Sequence, residues 1–271
     1  MQYYLHSHFP DSDFSLWIIE QDDEELFNRG WLVNVGLKEI MTKHPETQCI
    51  ILNDVDLVPD LPFGSRGLVP YNQCDLPIQL GSELEHFNWG VPYDACAGGI
   101  VSMNANDWRK INGLSNDYIG WGGEDDDLYE RLRINKLLVP NNSGGMALKR
   151  PPKGNGVFRV ISQDQEHHEK RHKDPVQYQL TLTRREQMRK GSTRWKTDGL
   201  SDLYYYVADY KRDVGSRSTP SNFGFSSVHH VKAKATDGRG NQGGNTTEED
   251  KHTAVIVGNN TSNPPTVDNA K

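Results

Sequence analysis

The chain has 271 residues, with 30 basic against 37 acidic side chains, a formal net charge of −7 and 35% hydrophobic residues. That balance excludes a nucleic-acid binder that works by neutralising a phosphate backbone. No apolar run approaches the ~18–20 residues needed to span a bilayer, and the start, MQYYLH, lacks the basic and apolar regions of a signal peptide.

Residues 14–19 (FSLWII) read as a strand. Residues 29–43 carry Leu32, Val35, Leu37 and Ile40 at helical spacing. The short run at 49–52 (CIIL) is wholly apolar, as expected of a strand covered on both faces. A long Pro- and Gly-bearing connection follows, then a strand at 99–103 and a short helix at 105–111. Residues 125–137 are predicted to be helical, with acids in the first turn.

From Gly215 onward there is no Leu, Trp, Tyr or Met, and stretches such as GRGNQGGNTTEEDK dominate. Such a segment buries too little apolar area to offset its ordering entropy. The expected organisation is one folded domain over residues 1–214 and a disordered low-complexity tail over 215–271, with 253–257 (TAVIV) as its only strand-like island. Alternating strands and helices predict an α/β sheet whose ligands gather at the carboxyl ends of the strands.

Three constellations carry chemistry. Asn53-Asp54-Val55-Asp56 directly follows the apolar strand, and alternation sends Asp54 and Asp56 to one side. Two hard-oxygen, doubly negative ligands suit Mg²⁺ or Mn²⁺ bridging to a diphosphate, whereas a solvated acidic turn is the structural alternative. Gly120-Trp121-Gly122-Gly123-Glu124-Asp125-Asp126-Asp127 sets four consecutive carboxylates behind a glycine-flanked indole. Two unit charges 4 Å apart repel by about 4 kcal/mol at an effective dielectric near 20. A run of four therefore needs solvent, metal or hydrogen bonds, although a charged helix N-terminus is the bland reading. The indole beside carboxylates suits a sugar platform. Third, His167, His168 and His172 form a histidine-rich stretch that offers an imidazole to the Asp54–Asp56 site or is a solvated loop.

Together these segments resemble the β-1,4-galactosyltransferase family of metal-dependent, inverting sugar transferases. FNRGWLVNVG (27–36) resembles that family's FNRAxLxNVG, CIILNDVDLVP (49–59) its DVD strand, and Ala97-Gly98-Gly99 its GG strand start. NGLSNDYIGWGGEDDD (112–127) resembles NGxxNxYWGWGGEDDD almost residue for residue, and TDGL (197–200) resembles its late SDGL segment. The likeness spans roughly residues 3–210.

The resemblance implies a glycosyltransferase-A fold, a mixed central sheet flanked by helices, with Mn²⁺ as cofactor. It implies Asp56 and His168 as metal ligands and Asp125 as catalytic base beside Glu124. Donor contacts fall to Asp54, Trp121, Cys96 and Gly99. Acceptor contacts fall to Trp121, Gly122, Gly123, Glu124, Asp125, Tyr93 and Tyr178. It further implies a Cys49–Cys74 disulfide in an oxidising lumen, with which sequons at Asn141, Asn245, Asn259 and Asn260 agree. The substrates implied are UDP-galactose or UDP-GalNAc and a GlcNAc-terminated glycan, in a Golgi enzyme whose full-length form carries a type II anchor.

Four departures from the pattern matter. The family's early Pro-Phe-Arg strand, which holds the uracil, has no counterpart, so a truncated chain is expected. Gln163 falls at the family's metal-binding His in an ungapped alignment, while a two-residue insertion places His168 or His167 there. Cys96 replaces a bulky Tyr beside the donor's C2 substituent, which leaves room for an N-acetyl group. Gln177, Tyr178 and Thr181 replace Arg, Phe and Ile around the acceptor. A catalytically inactive, sugar-binding relative is the rival reading.

Overall fold

The structure is a computed structural model and describes residues 1–23, 25–61, 67–120, 122–161, 175–213, 225–236 and 253–259. In chain order it runs α1 (Gln2–His8), β1 (Phe14–Gln21), α2 (Arg29–Lys43), β2 (Cys49–Asp54), β3 (Leu57–Pro59), β4 (Ile78–Gln79) and β5 (Glu83–Leu84). There follow β6 (Ile100–Asn104), α3 (Ala105–Lys110), α4 (Glu124–Ile134), β7 (Val139–Pro140), β8 (Met146–Ala147) and β9 (Val157–Val160). The last elements are α5 (Pro175–Arg189), β10 (Tyr205–Asp213), β11 (Phe225–Ala235) and β12 (Thr253–Asn259).

Seven strands make the central sheet in the order β10-β11-β1-β12-β2-β6-β4. It is mixed: β1 pairs parallel with β11, and the other neighbours pair antiparallel. A smaller sheet, β3-β9-β5, stands beside it. Two-residue alternation sorts the apolar side chains into two layers. Trp17, Ile19, Ile50, Leu52 and Ile256 face α2, where they meet Leu32, Val35, Leu37 and Ile40. Phe14, Leu16, Cys49, Ile51 and Val257 face the opposite way, onto Leu5, Tyr71 and Phe158. The predicted elements at 14–19, 29–43, 49–52, 99–103, 105–111 and 125–137 are all present, the second with both ends unchanged and the others with ends within three residues. The Cys49–Cys74 disulfide is formed, with Cα atoms 5.7 Å apart.

One expectation needs correction. Two segments of the stretch assigned to the tail are strands of the central sheet. Val231 and Ala233 of β11 and Ile256 and Val257 of β12 are buried in its core. Composition averaged over 57 residues diluted two strand segments whose neighbours are supplied by β10, β1 and β2. Asn259 is fully buried within β12, so its sequon is closed in the folded chain. Asn141 lies at the β7–β8 hairpin tip, and Asn245 and Asn260 lie outside the described residues.

β11 also contributes a buried imidazole. His229 stacks on Trp17 with ring centroids 3.8 Å apart, and its two nitrogens meet Tyr210 Oη at 2.7 Å and Ser227 Oγ at 2.5 Å. Burial, with His44, Arg212 and Lys43 adding to it, lowers its pKa to about 4. The unfolded chain takes up this proton below about pH 6.5, while the folded chain refuses it until about pH 4. Stability is therefore full above about pH 6.5 and falls as pH drops through that window, by up to about 3 kcal/mol. The expected result is a lower Tm at pH 4.5 than at pH 7, and His229→Gln should flatten that acid limb. An unchanged slope in the variant would assign the acid loss elsewhere.

Candidate active site

The acidic motifs meet at the carboxyl end of β2, and an arginine joins them. Arg29 is the first residue of α2, capped by Asn28, whose side chain accepts from the Trp31 N–H. A cation at a helix N-terminus opposes the macrodipole, so it needs partners from elsewhere. Arg29 finds three. Its Nη2 donates to Asp54 Oδ1 at 2.7 Å, and its Nη1 reaches Asp125 Oδ1 at 3.0 Å and Glu124 Oε1 at 3.4 Å. Burial works against its charge, but Asp54, Asp125 and Glu124 outweigh it and hold the guanidinium protonated. In the sequence Arg29 stands inside the FNRGWLVNVG motif with no role of its own. A basic residue at a helix start with no acid in the first turn is the signal that could have found it.

The four consecutive acids have four different environments. Gly123 caps α4 with φ 99°, and a Cβ there would overlap Thr181 Oγ1 and lie 2.8 Å from the Tyr118 ring. Only glycine meets both demands. Beyond it, Glu124 is buried and faces Arg29, and its carboxyl is raised by burial, with Arg29 opposing. Asp125 is raised to about 8 by burial and by the neighbouring Glu124, Asp54 and Asp126 carboxylates, again against Arg29. Asp126 turns to Arg185 of α5 at 2.6 Å and accepts from Tyr93 Oη at 3.2 Å. Asp127 turns inward to the fully buried Arg131 at 2.6 Å. Arg131 also meets Asp198 at 3.3 Å and the Ile111 and Asn112 carbonyls at 3.3 Å each. The helix dipole favours all four acids, and Arg29, Arg185 and Arg131 divide them, with Glu124 and Asp125 sharing the first.

Much of the remaining motif is scaffold. Asn34 donates to the Leu114 carbonyl at 2.8 Å and accepts from its N–H at 2.9 Å. Asn116 donates to Gly199 O and Asp202 Oδ1, while its own N–H donates to Asp198 Oδ1. Arg184 joins Ser115, Asp117 and Asp198. These bonds lock the loop before α4 to α2 and to the late TDGL segment.

The predicted site residues thus divide. Asp54, Glu124 and Asp125 converge on Arg29, and Tyr93 joins through Asp126. Gly99 accepts from the Asp54 N–H at 3.1 Å. Cys96 is buried, and burial with the Asp125 carboxylate pushes its thiol up to about 11, so it stays neutral. Gly122 leads into the cap with φ 99°. Asp56 sits half-buried in the turn between β2 and β3. Tyr178 lies in α5, and its side chain is outside the described residues, as are Trp121, His167, His168, His172 and Gln163. Among the described residues no three His, Cys, Asp or Glu side chains group closely enough to hold a metal. Asp54 and Asp56 nonetheless present hard oxygen donors that suit Mn²⁺, with one oxygen of Asp54 committed to Arg29.

A mixed sheet between helices, with paired carboxylates at a strand's carboxyl end, is the build of a glycosyltransferase-A nucleotide-sugar transferase. The catalytic domain of Drosophila β1,4-galactosyltransferase 7 in complex with xylobiose shares this fold at a TM-score of 0.53 and 23% identity, over 81% of this chain and 79% of that one. A mutant of the same enzyme bound to manganese, UDP-Gal and xylobiose superposes equally well, with 22% identity.

Residues 3–62 match the N-terminal region of glycosyl transferase group 7, and residues 79–158 match the N-terminal domain of galactosyltransferase. β-1,4-Galactosyltransferase 2 of Cricetulus griseus is 32% identical over 199 residues, covering 73% of this chain and 48% of the relative. β-1,4-Galactosyltransferase 5 of Mus musculus is 34% identical over 203 residues, 73% and 46% of the two chains. The chain belongs to the β-1,4-galactosyltransferase family, glycosyltransferase family 7. It spans about half the length of the curated relatives it matches.

Proposed function

We propose that this chain transfers galactose or N-acetylgalactosamine from a UDP-sugar to a terminal GlcNAc-type acceptor, in β-1,4 linkage with inversion, within the Golgi lumen. The observation that carries the reading is the Arg29-centred meeting of Asp54, Glu124 and Asp125 at the end of β2. No helix among the described residues is long and apolar enough to cross a membrane, and the anchor belongs to the proposal for the whole protein.

Asp125 is the general base. Its pKa of about 8 lies close to the operating pH, where a base is ionised often enough and still basic enough to take a hydroxyl proton. The acceptor oxygen attacks the anomeric carbon from the face opposite UDP as Asp125 removes its proton, so inversion needs no enzyme nucleophile. Arg29 holds that carboxylate and Asp54 in fixed positions, and Glu124 orients the acceptor hydroxyls. Asp56, with His168 as the nitrogen ligand the chain offers, would hold Mn²⁺, and Asp54 would support the donor. When bound, that ion supplies charge neutralisation for the departing diphosphate. Tyr93 and Trp121 are the residues proposed to contact the acceptor. The test is Mn²⁺-dependent UDP release with a GlcNAc acceptor. Sugar binding without release would favour an inactive relative.

The small, neutral thiol of Cys96 is the basis for including UDP-GalNAc among the donors. Cys96→Tyr is expected to suppress transfer from UDP-GalNAc by about tenfold or more while retaining UDP-Gal, as a steric clash costing more than ~1.4 kcal/mol would. Comparing kcat/KM for the two donors decides it. Strict UDP-Gal preference in the wild type would remove GalNAc from the reading.

A further inference from the structure

We propose that Gln79 is a positioning residue for the transfer reaction, acting through the Gly98–Gly99 turn to set the seat of Asp125 and the backbone of Asp54. The inference rests on the glycosyl-transfer reading above and assigns a role to a residue outside the acidic motifs.

Gln79 lies on β4 and is fully buried. Its strand is short, yet its backbone is held on both sides, by pairing with Val101 of β6 and by an N–H bond to the Lys149 carbonyl at 2.9 Å. The side-chain amide points at the turn before β6. Nε2 donates to the Gly98 carbonyl at 2.5 Å and lies 3.4 Å from the Gly81 carbonyl. Two facing carbonyls fix which way the amide points, since its oxygen would be repelled there. Oε1 has no hydrogen-bond partner among the described residues. Leaving a buried polar atom unpaired costs about 1–3 kcal/mol. A residue present only for packing would avoid that cost with an apolar side chain of similar volume.

The turn that Gln79 grips touches both acidic motifs. The Asp125 carboxylate rests directly on Gly98, where a Cβ would overlap it, with the carboxyl carbon 2.7 Å from the ideal Cβ position. The next residue, Gly99, has φ 80° and accepts from the Asp54 N–H at 3.1 Å. The peptide between the two glycines thus faces Asp125 on one side and leads to Asp54 on the other. Two adjacent glycines are the most pliable joint a chain can offer. The short bond from Gln79 removes that freedom. Misplacing a reacting group by about 1 Å can cost on the order of a hundredfold in rate, so a flexible joint under the base would be expensive.

The experiment compares wild type, Gln79→Met, Gln79→His and Gly98→Ala in Mn²⁺-dependent transfer, with UDP binding and thermal midpoint measured alongside. Met keeps the volume and loses the donor, whereas His restores an N–H at similar reach. Gln79→Met is expected to lower kcat at least about tenfold, with donor KM within about twofold and UDP binding retained. Gln79→His should recover most of kcat, and Gly98→Ala should lose kcat as Gln79→Met does. A Gln79→Met enzyme with wild-type kcat overturns the proposal. So does a loss of activity that only tracks the fraction folded and is not rescued by His. The ¹³C carboxyl resonance of Asp125 gives a readout independent of turnover: it should move in Gln79→Met and return in Gln79→His. If the wild type shows no turnover at all, the transferase reading fails, and this resonance still decides whether Gln79 positions Asp125.

Discussion

Asp125→Asn should abolish measurable transfer while leaving the fold and nucleotide binding in place. The amide cannot accept a proton from the acceptor hydroxyl, so the loss expected for a general base is about 10²–10⁴-fold in kcat. Asn matches Asp in shape, and its oxygen can still accept from Arg29 Nη1, which lies 3.0 Å from Asp125 Oδ1. The substitution also removes one of three carboxylates crowded around a single guanidinium. The Tm should therefore stay level or rise, as when a strained functional group is relieved. The wild type should show an acid limb in its pH–rate profile. Asp125 carries its proton below its pKa of about 8, so activity should climb as pH rises through that region. Turnover in Asp125→Asn within about threefold of wild type would exclude Asp125 as the base.

A chain ending at residue 236 should fail to form the cooperative native sheet. β12 lies between β1 and β2, paired with seven residues of the first and six of the second. Removing it leaves β10-β11-β1 and β2-β6-β4 as separate pieces, each with a newly exposed apolar edge. It also removes Ile256 and Val257, one from each face of the core. A domain holds only about 5–15 kcal/mol of net stability, and loss of a central strand exceeds that. The truncated chain should be aggregation-prone and show no cooperative thermal transition. Ile256→Ala in the full chain should fold but lose about 2–5 kcal/mol. Cooperative unfolding of the truncated chain at the wild-type midpoint would show that β12 is dispensable.

Asp125 and β12 differ in how far the amino-acid order alone reveals them. α2 is legible because its apolar residues recur at helical spacing, and β2 because four apolar residues precede the acidic pair. The cluster at residues 124–127 is legible as a site, since four adjacent carboxylates call for partners. Which acid faces which cation is not legible. Arg29, Arg131 and Arg185 meet members of that run across separations of 95, 4 and 59 residues, and only the short helical spacing can be anticipated. Gln79 gives no signal at all, because its side-chain partner is a carbonyl 19 residues away.

The amino-acid sequence by itself determined the local elements, the apolar faces and the residue types gathered in the candidate site. Those depend on spacing along the chain, which periodicity and motifs record. The tertiary structure decided strand order, the place of β12 at the centre of the sheet, and the separate roles of four adjacent carboxylates. Those depend on long-range backbone pairing and on which distant charge arrives at each oxygen, and local composition carries neither.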